Sequence, residues 1–186
     1  MSRFDISELS LPGLKLIQGK PLADARGFLA RLFCAKELGP AGWASAIAQI
    51  NHTHTARRGT VRGMHYQKPP HAEMKLVSRL QGKICDVVVD LRKDSPTFLQ
   101  WHAELLSADN HSALLIPEGF AHGFQTLSDD VHLLYCHSEA YHPESEEGLN
   151  ALDTRLGIDW PIEIVERSPR DKVHACLDQA FEGLQI

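Results

Sequence analysis

The chain has no CxxC pair, no basic block and no long apolar run, and each absence bears on function. Its four cysteines, Cys34, Cys85, Cys136 and Cys176, are scattered singly through 186 residues. That spacing suits neither a thiolate metal site nor the disulfide framework of a small secreted domain. It points instead to reduced thiols in a cytoplasmic protein. Lys and Arg number 19 against 24 Asp and Glu, for a formal net charge of -5. The basic residues form no cluster or basic helix, which argues against a nucleic-acid footprint. A few arginines inside a cleft still suffice to hold a small anion. No stretch approaches the length of a membrane span. The N-terminus, MSRFDISELSLPG, is charged and poor in apolar residues, unlike a signal peptide. What the chain has in excess is histidine, at 11 residues.

Short apolar runs recur, broken by turn residues. They are GLKLIQG, RGFLARLFC, WASAIAQINHT, TVRGMHYQ, MKLVSRLQ, KICDVVVDLR, TFLQWHAELLS, SALLIPEG, AHGFQTL and VHLLYCHSEAY. Several alternate apolar and polar; in the last, Val131, Leu133, Tyr135 and His137 share one face. Short, closely spaced strands with Gly, Pro and Asp punctuation indicate an all-β sandwich or barrel. The turns include Ala108-Asp109-Asn110, Leu127 to Asp130 and Lys93 to Pro96. Only KELGPAG and the C-terminal SPRDKVHACLDQAFEG read as helical. For the second, Ser168 is a natural N-cap, Pro169 fits the first helical position and Gly183 fits the stop. Val173, Cys176, Leu177 and Ala180 would line one face. With no repeat and no low-complexity linker, residues 1–186 are expected to form one domain.

Two glycine-flanked stretches stand out. The first runs from Gly59 to Gly82 and holds His65, Gln67 and Glu73; the second is IPEGFAH, with Pro117, Gly119 and His122. Together they resemble the two motifs of the cupin superfamily, whose jelly-roll barrel presents His and Glu side chains from facing strands into its mouth. Metal-binding cupins carry a second histidine where this chain has Gln67. A neutral amide is a poor ligand for a first-row divalent ion, which prefers imidazole or carboxylate. The barrel is therefore expected without a metal, as an all-β cupin-type jelly roll with short helical segments and a C-terminal helix.

A closer resemblance follows from DARGFLARLF, AQINHT, RGTVRGMHYQKPP, MKLV, DVVVDLRKDSPTF, IPEGFAHGFQTLS, LLYCHSEAYHPESEEG and LGIDWP, all in order. They are similar to the dTDP-4-dehydrorhamnose 3,5-epimerase family, from about residue 12 to residue 172. The resemblance implies an isomerase acting on a nucleoside-diphosphate 4-keto-6-deoxyhexose in deoxysugar biosynthesis, as a homodimer with strands shared across the interface. The chemistry suits the residue types. A carbonyl at C4 acidifies the protons on C3 and C5. A base removes one, a positive charge stabilises the enolate, and an acid returns a proton to the opposite face. Histidine supplies a base near neutrality. Tyrosine supplies an acid that is neutral at pH 7, and a buried cation supplies the oxyanion stabilisation. No cofactor is required.

By the resemblance, His65 takes the base position and Asp171 that of the carboxylate orienting it. Asp171 also stands at the third helical position after Ser168, where a capping box places its acid. Tyr135 takes the acid position and Lys75 that of the enolate-stabilising cation. Arg62, His122, Arg26, Gln49, Asn51, Tyr141, Glu146 and Arg170 take substrate-contact positions. Arg31 stands where the family commonly has an acid near the nucleobase, and Ala140 replaces one of two aromatics. These departures leave open the base, the sugar, and inversion at C3 alone or at C3 and C5. Two other classes stand beside this reading. One is a metal-dependent cupin isomerase or oxygenase using His65, Glu73 and His122. The other is a non-catalytic sugar-nucleotide binding domain, which would not need an acid and a base together.

Overall fold

The apolar runs fold as strands, and the pleat sends their alternate side chains into a core between the sheets and a cluster on the outer face of each. The computed structural model describes residues 2–107 and 110–186. The strands are β1 (Phe4–Glu8), β2 (Lys15–Gly19), β3 (Leu22–Asp24), β4 (Gly27–Leu29), β5 (Gln49–Thr55), β6 (Val61–Gln67) and β7 (Lys75–Gln81). They continue as β8 (Lys83–Asp90), β9 (Trp101–Ser107), β10 (Ser112–Ile116), β11 (Phe120–Thr126), β12 (Val131–His137) and β13 (Glu146–Gly148). Helix α1 (Ala35–Leu38) runs into a 3-10 turn at Gly39–Ala41, where KELGPAG reads as helical, and α2 is Pro169–Val173. No helix among the described residues is long and apolar enough to cross a membrane. The sequence pattern does not reveal β1, β3 and β13, which are short, polar or exposed. Ala108 and Asp109 of the expected turn lie outside the described residues.

Two antiparallel sheets face each other. One is six-stranded in the order β1-β2-β10-β7-β12-β5, the other five-stranded in the order β13-β6-β11-β8-β9. Between them Val77, Leu114 and Leu133 of the first meet Ile84, Val88, Phe120 and Phe124 of the second. Each such buried side chain contributes roughly 1.5–3 kcal/mol. The outer face of the five-stranded sheet (Val61, Met64, Tyr66, Val87, Val89) is covered by Leu149, Ala151, Leu156 and the C-terminal segment. The outer face of the six-stranded sheet is covered by Leu38, Ala41 and Trp43. This is the jelly roll expected of a cupin. The β3–β4 hairpin forms a separate two-stranded sheet.

One irregularity matters for the site. His122 of β11 pairs with His65 of β6, whereas Phe124 pairs with Arg62. Two steps on β11 thus answer three on β6, the signature of a β-bulge. The extra residue switches the parity of β6, so Arg62 and His65 reach the same inner face while Val61, Met64 and Tyr66 pack outside. Gly63 makes this possible. Its φ is +120°, and a Cβ there would stand 2.6 Å from the Cα of Gly123.

The C-terminal helix is much shorter than its sequence pattern predicts. It stops at Val173, and His174 is already extended, with φ -58° and ψ 134°. Val173, expected on the apolar face, is 81% exposed. A longer helix would bury only a narrow stripe of small side chains. The extended tail instead packs Leu177, Phe181 and Leu184 against the outer core, and Asn150 donates its backbone N–H to the carbonyl of Ala175.

Candidate active site

A cavity of about 190 Å³ opens at one end of the space between the sheets. The five-stranded sheet lines it with Arg62, His65, Gln67, His122 and Phe124. The six-stranded sheet contributes Gln49, Asn51, Thr53, Lys75, Tyr135 and His137, and the chain after β12 adds Tyr141 and Glu146. Strand register explains the second set. Tyr135 lies between Asn51 of β5 and Val77 of β7, and His137 between Gln49 and Lys75. The alternation read in VHLLYCHSEAY is therefore the arrangement found.

His65 sits in the middle of β6, between β11 and β13. Its Nε2 lies 2.8 Å from Oδ1 of Asp171 on α2. Its side chain keeps 33% exposure, against 4% for Asp171. Burial pushes the Asp171 carboxyl up. The hydrogen bond and charge of His65, with lesser help from the Gly63 N–H and Ser168, outweigh it and hold the group below its ordinary value. An ionised carboxylate only accepts, so Nε2 carries the hydrogen and Nδ1 is left as the acceptor of the neutral ring. The two sequence readings of Asp171 resolve here. Its backbone N–H is capped by Ser168 Oγ at 3.0 Å, but its carboxylate turns to His65 and to the Gly63 N–H. Ser168 caps the helix, and the reciprocal half of the capping box is given up.

Tyr135 faces this dyad from the opposite sheet. Burial, reinforced by the charge of Asp86 and opposed by Arg62, raises its phenol well above the ordinary value. Lys75 is not solvated as a lysine at a strand start usually is. Its Nζ lies 3.0 Å from Glu73, with both side chains at most 10% exposed, and 3.4 Å from the carbonyl of His65. Glu73 also takes Nδ1 of His137 at 2.7 Å. Burial raises the Glu73 carboxyl, but Lys75 and His137 together hold it below its usual range. His122 forms a second histidine–carboxylate pair, Nε2 to Asp86 Oδ1 at 2.9 Å, with both residues buried.

Most of the expected site residues come together. Gln49 donates to Asn51 and accepts from the Tyr141 N–H. Tyr141 donates its hydroxyl to Glu146 at 2.6 Å, and Glu146 binds Arg170 at 2.5 Å on the rim. Arg26 does not join them. It sits at the tip of the β3–β4 hairpin, 89% exposed and paired with Asp24 at 2.6 Å, away from its own chain's cavity. Four other neighbours of the site, Glu73, Asp86, His137 and His174, lie outside the residues that the epimerase resemblance names, although Glu73 enters the metal alternative and His137 shares the face of Tyr135. His137 follows Tyr135 by two residues on the same face, and Asp86 interrupts the buried run KICDVVVD; both are readable signals. His174 has none, because the break after Val173 that turns it back towards Asp171 is not visible in the pattern.

The metal set of the alternative reading is not assembled. His65, His122 and Glu73 are each engaged elsewhere, with Asp171, Asp86, and Lys75 plus His137 respectively. Gln67 spends its amide on the backbone, donating to the carbonyls of His71 and Ala140 and accepting from the His142 N–H. It fastens two rim loops. Among the described residues, donor atoms converge instead at His65, Asp171 and His174, and at His71, His142 and Glu144.

Comparison with known proteins agrees with this architecture. The family model for dTDP-4-dehydrorhamnose 3,5-epimerase matches residues 8–179. The dTDP-4-dehydrorhamnose 3,5-epimerase of Salmonella typhimurium is 37% identical over 178 residues, 95% of this chain and 97% of the relative. The crystal structure of the Bacillus anthracis enzyme of that name, with TDP and PPi bound, superposes with a TM-score of 0.90 at 40% identity, covering 94% of this chain and 99% of that one. A Legionella pneumophila dTDP-6-deoxy-D-glucose-3,5-epimerase in complex with dTDP-4-keto-L-rhamnose gives 0.91 at 38% identity, covering 98% of each chain. A 3'-monoepimerase from Streptomyces bikiniensis, in complex with dTDP-quinovose, gives 0.84 at 33% identity, covering 90% of this chain and 85% of that one. The chain belongs to the dTDP-4-dehydrorhamnose 3,5-epimerase family of isomerases.

Proposed function

We propose that this chain, as one domain spanning residues 1–186, inverts C3, or C3 and C5, of a nucleoside-diphosphate 4-keto-6-deoxyhexose. The dTDP-4-keto-6-deoxyglucose type is the substrate class, and no metal or redox cofactor takes part. The observation that carries the reading is the placement of His65 and Tyr135 on facing sheets of one cavity. His65 accepts the α proton on Nδ1 while Asp171 holds the ring and stabilises the imidazolium. Between the two histidine–carboxylate pairs, His65 suits the base better because its ring stays partly open, whereas His122 is only 5% exposed. His122 with Asp86 contacts and orients the sugar.

Lys75 and Arg62 supply positive charge where the C4 oxyanion develops, in a water-poor site where such charge counts most. Arg62 keeps its guanidinium mainly for the cavity, apart from a 3.3 Å contact with Thr55. Tyr135, held protonated by burial, returns a proton to the opposite face of the enolate. Gln49, Asn51, Tyr141, Glu146 and Arg170 hold the sugar and the nucleotide.

Arg26 has no role inside its own chain, and its hairpin exposes Leu22, Phe28 and Leu29 at 49, 66 and 71%. Strand β5, which carries Gln49 and Asn51, is a sheet edge. Both features suit a homodimer in which the hairpin of one subunit reaches the site of the other. Four free cysteines suit a cytoplasmic setting.

The test is incubation with dTDP-4-keto-6-deoxyglucose in D2O, with deuterium located by NMR. Deuterium at C3, or at C3 and C5, with inverted product supports the reading. A substrate returned without deuterium would refute it.

A further inference from the structure

His174 is the histidine beside the site that proton transfer leaves without work. Its Nε2 is buried and has no hydrogen-bond partner among the described residues. It points at the dyad from behind: Nε2 lies 3.8 Å from Asp171 Oδ1, and the ring meets His65 edge-on at a centroid distance of 5.8 Å. Gly148 leaves the room for it, since a Cβ at that position would fall 2.3 Å from His174 Nε2.

We propose that His65, Asp171 and His174 form a binding site for a divalent first-row metal, best fitted to Zn2+, and that its occupation silences the base. The donor atoms of the three residues all lie within 4.8 Å of one another. Ligands about 2.0–2.1 Å from a tetrahedral zinc stand roughly 3.3 Å apart. The observed separations of 2.8 Å (His65 to Asp171) and 3.8 Å (His174 to Asp171) bracket that value. Two imidazoles and a carboxylate are ordinary zinc ligands, with a fourth position left for water.

Silencing follows from the two nitrogens of His65, and this part rests on His65 being the base. In the metal-free dyad Nε2 carries the hydrogen and Nδ1 accepts. Zinc forms a coordinate bond to Nε2, the Nε2–H bond breaks, and the proton is re-formed on Nδ1. No net proton is released, and no redox change occurs. The ring stays neutral but has lost its acceptor lone pair, so it cannot take a proton from the sugar. The site is thus an inhibitory one, opposite in sense to a metallo-cupin centre.

The test uses full-length protein stripped with EDTA and dialysed against buffered Zn2+, with bound metal counted by elemental analysis. Wild type is expected to bind one Zn2+ at this site. His174→Gln and Gly148→Ala, the second displacing the ring without altering a ligand, should each weaken it at least tenfold, while His71→Ala leaves it unchanged. In 15N NMR the His65 proton should move to Nδ1 on zinc binding, and deuterium exchange into the sugar should fall in step with occupancy and return with EDTA. The metal count and the NMR need no substrate, so they stand even if the sugar nucleotide is the wrong one. Equal zinc affinity in wild type and both variants, or loss only in His71→Ala, overturns the site. A zinc-loaded protein that keeps Nδ1 unprotonated overturns the silencing.

Discussion

Replacing Asp171 by Asn tests the dyad with the smallest change of shape. The carboxylate lies 2.8 Å from His65 Nε2, and its second oxygen takes the Gly63 N–H at 3.4 Å. Both neighbours donate, and a carboxamide can accept from only one of them. Either the ring or the backbone amide is left facing an NH2 group. A hydrogen bond to a charged group is worth roughly 1.5–3 kcal/mol. At about 1.4 kcal/mol per decade, loss of that bond from the imidazolium-forming transition state predicts a 10- to 150-fold fall in rate. The conflict with Gly63 favours the upper part of that range. Asp171 does not line the cavity, so kcat and kcat/KM should fall together with KM nearly unchanged. Stability gives a second readout. The folded carboxyl titrates below its ordinary value, so its contribution is complete above the unfolded pKa, about 3.9. It is lost as pH falls through the folded value. The variant should therefore melt below wild type at pH 7, and the gap should narrow once the pH falls below about 3.9. A folded variant with kcat within threefold of wild type at pH 7 would refute the reasoning.

The other predictions concern the facing sheet and the rim. Tyr135→Phe should raise the ratio of deuterium wash-in to inverted product, because His65 still exchanges protons on its own face; an unchanged ratio with an unchanged rate removes Tyr135 from the chemistry. Lys75→Met breaks a buried pair, leaving Glu73 with His137 alone. It should cost about 3 kcal/mol of stability and at least 100-fold in kcat, read by denaturant melts and turnover; wild-type turnover would discount the lysine. EDTA should leave activity intact or raise it. Loss on chelation with recovery on adding one divalent metal would contradict proton transfer by side chains alone.

Much of this site is legible because strands carry it. Period-two alternation puts Tyr135 and His137 on one face, and the motif resemblance marks His122 within IPEGFAH. The bulge at Gly63 is different, since simple alternation would set Arg62 and His65 on opposite faces. The family resemblance names both as site residues, but only the register of β6 against β11 shows how they share a side. Charge is the second limit. Glu73 reads as a candidate metal ligand because the pattern cannot show that it pairs with Lys75. The third limit is the C-terminal tail, where helical spacing over Val173, Cys176, Leu177 and Ala180 gives way to packing of Leu177, Phe181 and Leu184. That contest is decided by the outer core, and it alone places His174 behind the dyad. Arg26 marks the last limit: the resemblance names it as a substrate contact, yet it stands on an exposed hairpin, paired with Asp24 and outside its own chain's cavity.

The most direct test of the account is deuterium wash-in by His65→Ala. Wild type and variant are incubated in D2O with dTDP-4-keto-6-deoxyglucose, and deuterium at C3 and C5 is followed by NMR while circular dichroism confirms the fold. Loss of a general base costs on the order of two to four decades. The account predicts that the folded variant falls by that amount in both exchange and inversion. A folded His65→Ala protein that exchanges these protons at near wild-type rates would contradict it.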